Sequence, residues 1–246
     1  MTFTKLVDVF VPVTDLKRSA PWYEQVLGLR LLGRDDRHAR LSFLEGTCLT
    51  LVQQADLNRY DEAPFNVNVY DAEKAYRIMI GSGVEIAEEP APFHHMQCFK
   101  ISDPDGNPIG IAGWREEAYA GTEGAIRLGG AFLPVRDLQR SVEWYESKLG
   151  ALVLHRFAYK LPALDKEVEA VSFENINVCL FETPRFSALA HMAFTIGSTD
   201  PRNDFETLRS GGIKLSALTR EFNRDRFGLL DPDENEIGVI GILQVN

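Results

Sequence analysis

The side chains in this sequence that could do chemistry are few, and none stands in a standard catalytic spacing. Asp8 lies between Val7 and Val9 in an apolar, strand-like run. A buried carboxylate is costly unless it is paired, so Asp8 must have a partner or line a wet cavity. His94 and His95 stand together ahead of Met96. Neighbours on an extended chain point to opposite faces, so at most one of them faces a cavity. His95 is then a rim residue, a ligand contact or a base working near neutral pH. His191 opens the run His-Met-Ala-Phe-Thr-Ile. If Ala193 and Thr195 share its face, that face is small and polar, as a cavity wall would be. A satisfied strand histidine is the plainer reading. Cys48, Cys98 and Cys179 are odd in number, far apart and each set in an apolar run, which reads as buried free thiols. No Cys/His spacing suggests structural zinc. No nucleophile triad, P-loop or dinucleotide fingerprint can be read from spacing.

These residues must be positioned by elements, and the elements repeat. Val13-Thr-Asp-Leu-Lys-Arg-Ser-Ala-Pro-Trp-Tyr-Glu-Gln-Val-Leu-Gly28 returns without a gap as Val135-Arg-Asp-Leu-Gln-Arg-Ser-Val-Glu-Trp-Tyr-Glu-Ser-Lys-Leu-Gly150. A repeat of this kind fixes architecture before chemistry is considered. Asp15 is placed to cap a helix. Leu16, Ser19, Ala20, Tyr23 and Leu27 form its apolar stripe. Gly28 supplies the left-handed stop. Strand patterns flank this helix, and each half of the chain reads as two β-α-β-β-β units. The turn Asp103-Pro-Asp-Gly-Asn107 near the end of the first half matches Asp231-Pro-Asp-Glu-Asn235 near the end of the second. Residues 114–126 lack periodicity and read as a linker. Residues 88–92, with two prolines, read as a loop. The segment 160–166 reads as a polar hairpin tip or a lid.

At 246 residues the chain suits two domains of about 120 each. A hydrophobic share of 45% is globular. The net charge of −10 leaves no basic footprint for nucleic acid. No apolar run is long enough for a membrane span, and the first residues read as a strand, not a signal peptide. A cytoplasmic location is the default expectation. Phe93, Phe99, Phe157, Phe173, Phe181 and Phe194 are strand aromatics. Some must fill cores, and the others would line an apolar small-molecule cavity.

The V-x-D-L-x-R-S-x-x-W-Y-E-x-x-L-G helix and the D-P-D-x-N-x-I turn, both present twice, resemble the vicinal oxygen chelate superfamily. That group includes glyoxalase I, the bleomycin resistance proteins and the extradiol dioxygenases. The resemblance implies an α+β fold of two tandem glyoxalase-like modules, residues 1–117 and 125–246. Each module would hold two βαβββ units forming a half-open barrel. Metal-dependent members place His, Gln or Glu ligands at four strand positions around a bidentate substrate. Carried onto this chain, those positions fall on Asp8 and Gly130, on Thr50 and Cys179, on Pro64 and His191, and on Gly110 and Gly238. Glycine cannot ligate. Glu236, two residues before Gly238, would face the same side. Where units exchange between modules, Asp8 and Thr50 would share a cavity with His191 and Gly238.

The resemblance therefore implies a protein of this superfamily with a degenerate metal site and no resident cofactor. It would bind a small aromatic or amphipathic molecule, with Asp8, Thr50, His95, Cys179 and His191 as candidate ligand contacts. The alternative is a lyase, isomerase or extradiol-type dioxygenase holding divalent Fe, Mn, Zn or Ni through Asp8 and His191. A homodimer is also implied, since members often dimerise by pairing units.

Overall fold

The computed structural model describes residues 2–55, 57, 62–93, 95–161, 166–183, 191–221 and 223–242. Four β-α-β-β-β repeats follow one another. The first is β1 (Phe3–Val13), α1 (Leu16–Leu27), β2 (Arg30–Arg34), β3 (His38–Ser42) and β4 (Cys48–Gln53). The second is β5 (Phe65–Val69), α2 (Ala72–Gly81), β6 (Ile86–Phe93), β7 (Met96–Ser102) and β8 (Pro108–Gly113). The third is β9 (Ala125–Val135), α3 (Leu138–Leu149), β10 (Val153–Leu161), β11 (Lys166–Phe173) and β12 (Val178–Glu182). The fourth is β13 (Phe194–Ser198), α4 (Pro201–Ser210), β14 (Thr219–Glu221), β15 (Arg224–Leu230) and β16 (Glu236–Gly241).

The strands form two eight-stranded sheets. One runs β14-β15-β16-β13-β1-β4-β3-β2, and the other runs β10-β11-β12-β9-β5-β8-β7-β6. The first repeat thus pairs with the fourth, and the second with the third. The chain divides into two compact bodies, residues 9–131 and residues 1–8 with 132–246. The divisions fall inside β1 and β9, the strands that join repeats within a sheet.

The helices form as the sequence dictates. Asp15 accepts a bond from Lys17 N, and Asp137 one from Arg140 N. Gly28 and Gly150 close the helices at φ 70° and 60°, a region open to glycine. Leu16, Ser19, Ala20, Tyr23 and Leu27 are the buried residues of α1, which is the predicted stripe.

Three elements depart from expectation. Residues 88–92 belong to a strand, β6. It is an edge strand, where proline costs no ladder bond, and the pairing shifts register between Glu88 and Ala91. β14 and β15 were not legible. Their turn uses Asn223 at φ 61°, and Arg224-Asp-Arg hides the strand that follows. In segment 160–166 the tip, 162–165, lies outside the described residues.

The two matching turns lock each helix to its own half. Asp103 Oδ1 accepts from the backbone of Asp105 (2.9 Å) and Asn107 (2.8 Å). Its Oδ2 accepts from Asn107 Nδ2 (2.9 Å) and the Tyr23 hydroxyl (3.0 Å). In the other body Asp231 accepts from Asp233 N, Asn235 N, Asn235 Nδ2 and the Tyr145 hydroxyl in the same pattern. Asn107 and Asn235 are both fully buried. Asn107→Ala and Asn235→Ala should each cost about 1–3 kcal/mol by removing donors to a buried carboxylate. Urea unfolding of each variant measures this; a loss below about 0.5 kcal/mol, the low end for one ordinary bond, would contradict the lock.

Candidate functional site

The face of the fourth repeat carries the polar candidates. Thr195 on β13 lies beside Gly238 on β16, which lies beside Gly228 on β15. His191 precedes β13, and its Nδ1 is 2.8 Å from the Met192 carbonyl. A carbonyl only accepts, so Nδ1 carries the proton and Nε2 keeps its lone pair. Burial pulls the His191 pKa down, against the Met192 bond and the Glu236 charge. A neutral imidazole with Nε2 as acceptor is the result. Glu236 Oε1 would stand 2.9 Å from a β-carbon placed on Gly228. Gly228 N donates to Ser216 Oγ at 2.7 Å. His191, Glu236 and Ser216 can therefore accept hydrogen bonds from a polar ligand or take up a proton. Asp8 is 5% exposed on β1, the neighbour of β13 in the sheet.

The second repeat shows the corresponding row. Asn66 on β5 lies beside Gly110 on β8, which lies beside Lys100 on β7. Phe65 and Phe194, and the caps Asp71 and Asp200, match at a constant offset. At that offset Asn66 corresponds to Thr195, and His191 corresponds to Glu62. The pairing of His191 with Pro64 read from sequence is thereby corrected. Strand register fixes the match, and register is what an ungapped reading by eye loses. Lys100 Nζ bonds Glu62 at 2.8 Å and Glu88 at 3.0 Å.

The third repeat carries an apolar face. Phe173 stacks on Tyr145 of α3 at 5.6 Å, so alternate residues of β11 turn away from the helix. Ala170, Cys179 and Phe181 form a buried cluster there, with Phe132, Phe157 and Val168 packed against it. Phe99, Phe173 and Phe194 are core residues. Phe157 and Phe181 line the face away from α3. Burial pushes the Cys179 thiol up to about 12 and the Cys98 thiol up to about 11.

The five candidates are distributed as follows. Asp8, Cys179 and His191 belong to one body, with Cys179 in a different sheet from Asp8. Thr50 and His95 belong to the other. Thr50 is buried on β4 beside Arg40 of β3. His95 is exposed at the turn between β6 and β7, edge-on to Trp114 at 5.4 Å. His94 lies outside the described residues. A cleft of about 510 Å³ lies against the outer side of α3, lined by Arg140, Trp144, Lys214 and Asp231 among others. None of the five candidates lines it. Sequence reasoning missed Lys100 and Glu62; aligning the second and fourth repeats would have exposed them.

A catalytic ion usually takes three protein ligands. Among the described residues no three His, Cys, Asp or Glu side chains converge. The last-strand position is also filled. A β-carbon on Gly238 would stand 2.5 Å from Thr195 Oγ1 and 2.7 Å from Met192 Sδ. On Gly110 it would stand 2.9 Å from Asn66 Cβ. A side chain at Gly110 would meet Asn66 Cβ, and one at Gly238 would have to displace Thr195 Oγ1 and Met192 Sδ, so the residues present do not match the family's ligand set.

Two outcomes follow from this packing. Gly110→Ala and Gly238→Ala should each cost about 1–3 kcal/mol from overpacking, read by urea unfolding; unchanged stability would show that the space is open. At pH 8 only about one Cys179 thiol in ten thousand is ionised. Cys98 and Cys179 should therefore resist a thiol reagent until the protein is unfolded, as mapped by mass spectrometry.

The fold has close counterparts. Glyoxalase I from Zea mays superposes with a TM-score of 0.75 at 19% identity, covering 97% of this chain and 92% of that one. A mutant of the same enzyme gives 0.74 at 19% identity over 97% and 94%. A candidate dioxygenase from Bacillus subtilis gives 0.75 at 15% identity over 98% and 86%. At such identity the likeness shows the fold alone. A family profile matches twice, over residues 5–111 and 127–239. The chain belongs to the Glyoxalase/Bleomycin resistance protein/Dioxygenase superfamily.

Proposed function

We propose that this chain is a small-molecule-binding member of its superfamily that holds its ligand without a metal ion. The ligand class is aromatic or amphipathic. The observation that carries this reading is the face formed by Phe132, Phe157, Val168, Ala170, Cys179 and Phe181, turned away from α3. The partly buried Phe132, Phe157 and Val168, packed on the buried Ala170, Cys179 and Phe181, offer an apolar bed, with ring stacking worth about 0.5–1.5 kcal/mol per pair beyond area. His191, Glu236 and Ser216 supply polar acceptors in the same body. No nucleic-acid partner goes with this reading, which the charge of −10 supports, and a cytoplasmic setting is proposed with it. No helix among the described residues is long and apolar enough to cross a membrane.

The test is a fluorescence titration with 8-anilinonaphthalene-1-sulfonate, an amphipathic aromatic probe. Phe157→Ala and Phe181→Ala should each weaken saturable binding by about two- to tenfold, the equivalent of one lost aromatic contact. Equal binding by the wild type and both variants would sink the proposal.

A second reading is favoured by the neutral, partly buried His191 and the Glu236 charge near it. It is the lyase, isomerase or extradiol-type dioxygenase that uses Asp8 and His191 with a divalent ion. Elemental analysis of protein purified without chelator or tag separates the two. About one equivalent of Fe, Mn, Zn or Ni, lost in His191→Ala, would put the enzyme first.

A further inference from the structure

The second and fourth repeats are copies of one design, and they have diverged at one row of the sheet. In the fourth repeat the row is Thr195, Gly238, Gly228. In the second it is Asn66, Gly110, Lys100. Gly110 and Gly238 correspond, so Lys100 stands where the fourth repeat has Gly228. His191 of the fourth repeat is replaced by Glu62 in the second. A glycine and a histidine have thus become an ammonium and a carboxylate, and the two are bonded at 2.8 Å.

This ion pair is largely withdrawn from water. The Lys100 side chain is 16% exposed and the Glu62 side chain 6%. Burying an ion is costly unless its partner is close and well placed. An ammonium is a compact point charge with three donors. Lys100 donates to Glu62 and to Glu88, the latter at 3.0 Å. Across Gly110 from Lys100, Asn66 Oδ1 is buried with no hydrogen-bond partner among the described residues. The ammonium is therefore surrounded by two carboxylates and faces the row of an amide oxygen. Hard oxygens of this kind suit a divalent cation.

We propose that Lys100 is a built-in cation. In the second repeat its ammonium supplies the positive charge that a bound metal ion supplies in metal-dependent members, and it closes that face to ions. In the fourth repeat Gly228 stands at the same place, with the Glu236 carboxylate against it. This inference stands apart from the aromatic-ligand reading, because its readout needs none of the phenylalanines.

The experiment is Mn²⁺ titration of chelator-treated protein, followed by the loss of the free-ion electron paramagnetic resonance signal. The wild type should take up no ion that depends on Glu62 at Mn²⁺ concentrations up to about 1 mM, the weak end of protein cation sites. Lys100→Met should gain about one equivalent, and Mn²⁺ should raise its Tm. Lys100→Gln replaces it if Lys100→Met does not fold. Lys100→Arg, which keeps the charge, should gain none. Adding Glu62→Gln to Lys100→Met should abolish the gain. A folded Lys100→Met protein that takes up no Mn²⁺ would overturn the proposal, as would one equivalent held by the wild type and lost in Glu62→Gln.

Discussion

Each half of this molecule depends on one buried carboxylate. Asp103 and Asp231 sit 4–5% exposed, with four donors apiece arranged around them. Burial raises the pKa of both, and the surrounding donors pull it back without cancelling the rise. A buried carboxylate held by four donors fixes which groups meet around it. Tyr23 comes from α1, while Asp103 belongs to the turn between β7 and β8. The bond joins a helix of the first repeat to a turn of the second, and these repeats contribute to different sheets. Tyr145 and Asp231 do the same for the third and fourth repeats. Sheets form by pairing across the halves, and the locks hold repeats within a half.

That division of labour explains why the site could change while the fold did not. The locks involve the helix face that packs inward and a turn at the end of a strand. The candidate site lies on sheet rows that the locks do not touch. Gly110 and Gly238 fill a ligand position with nothing, and Asn66 and Thr195 pack into the vacated space. The exchange of Lys100 for Gly228, and of Glu62 for His191, alters charge without altering register. A scaffold whose stability resides in Tyr–Asp–Asn contacts elsewhere tolerates such edits.

The fold was legible because its signals are local and doubled. Helix cap, apolar stripe and glycine stop all lie within 16 residues, from Val13 to Gly28, and recur from Val135 to Gly150. The partner of the Tyr in that stripe was not legible, because Tyr23 and Asp103 are 80 residues apart. Both motifs were visible as motifs; only the coordinates join them. The site was less legible for a different reason. A strand inverts its faces with a slip of one residue, and the reading of Pro64 against His191 slipped by two. The chemistry then hid in Lys100 and Glu62, which look in sequence like ordinary surface charges.

The asymmetry between repeats also bears on how a superfamily with one scaffold reaches many functions. A metal site needs several ligands at once, so losing one strands the others as buried, unpaired groups. Carboxylates left behind must be neutralised or removed. The second repeat neutralises with Lys100. The fourth removes the carboxylate position at Gly238 and keeps Glu236 beside Ser216 and a neutral His191. Both routes leave the sheet intact, but they leave different surfaces. One is an internally satisfied ion pair with little left to offer a ligand. The other presents acceptors, and in the same body stands a separate bed of aromatic rings. On the proposed reading, the second repeat answers its own charge with Lys100, while the body that holds the fourth repeat offers the groups for a ligand.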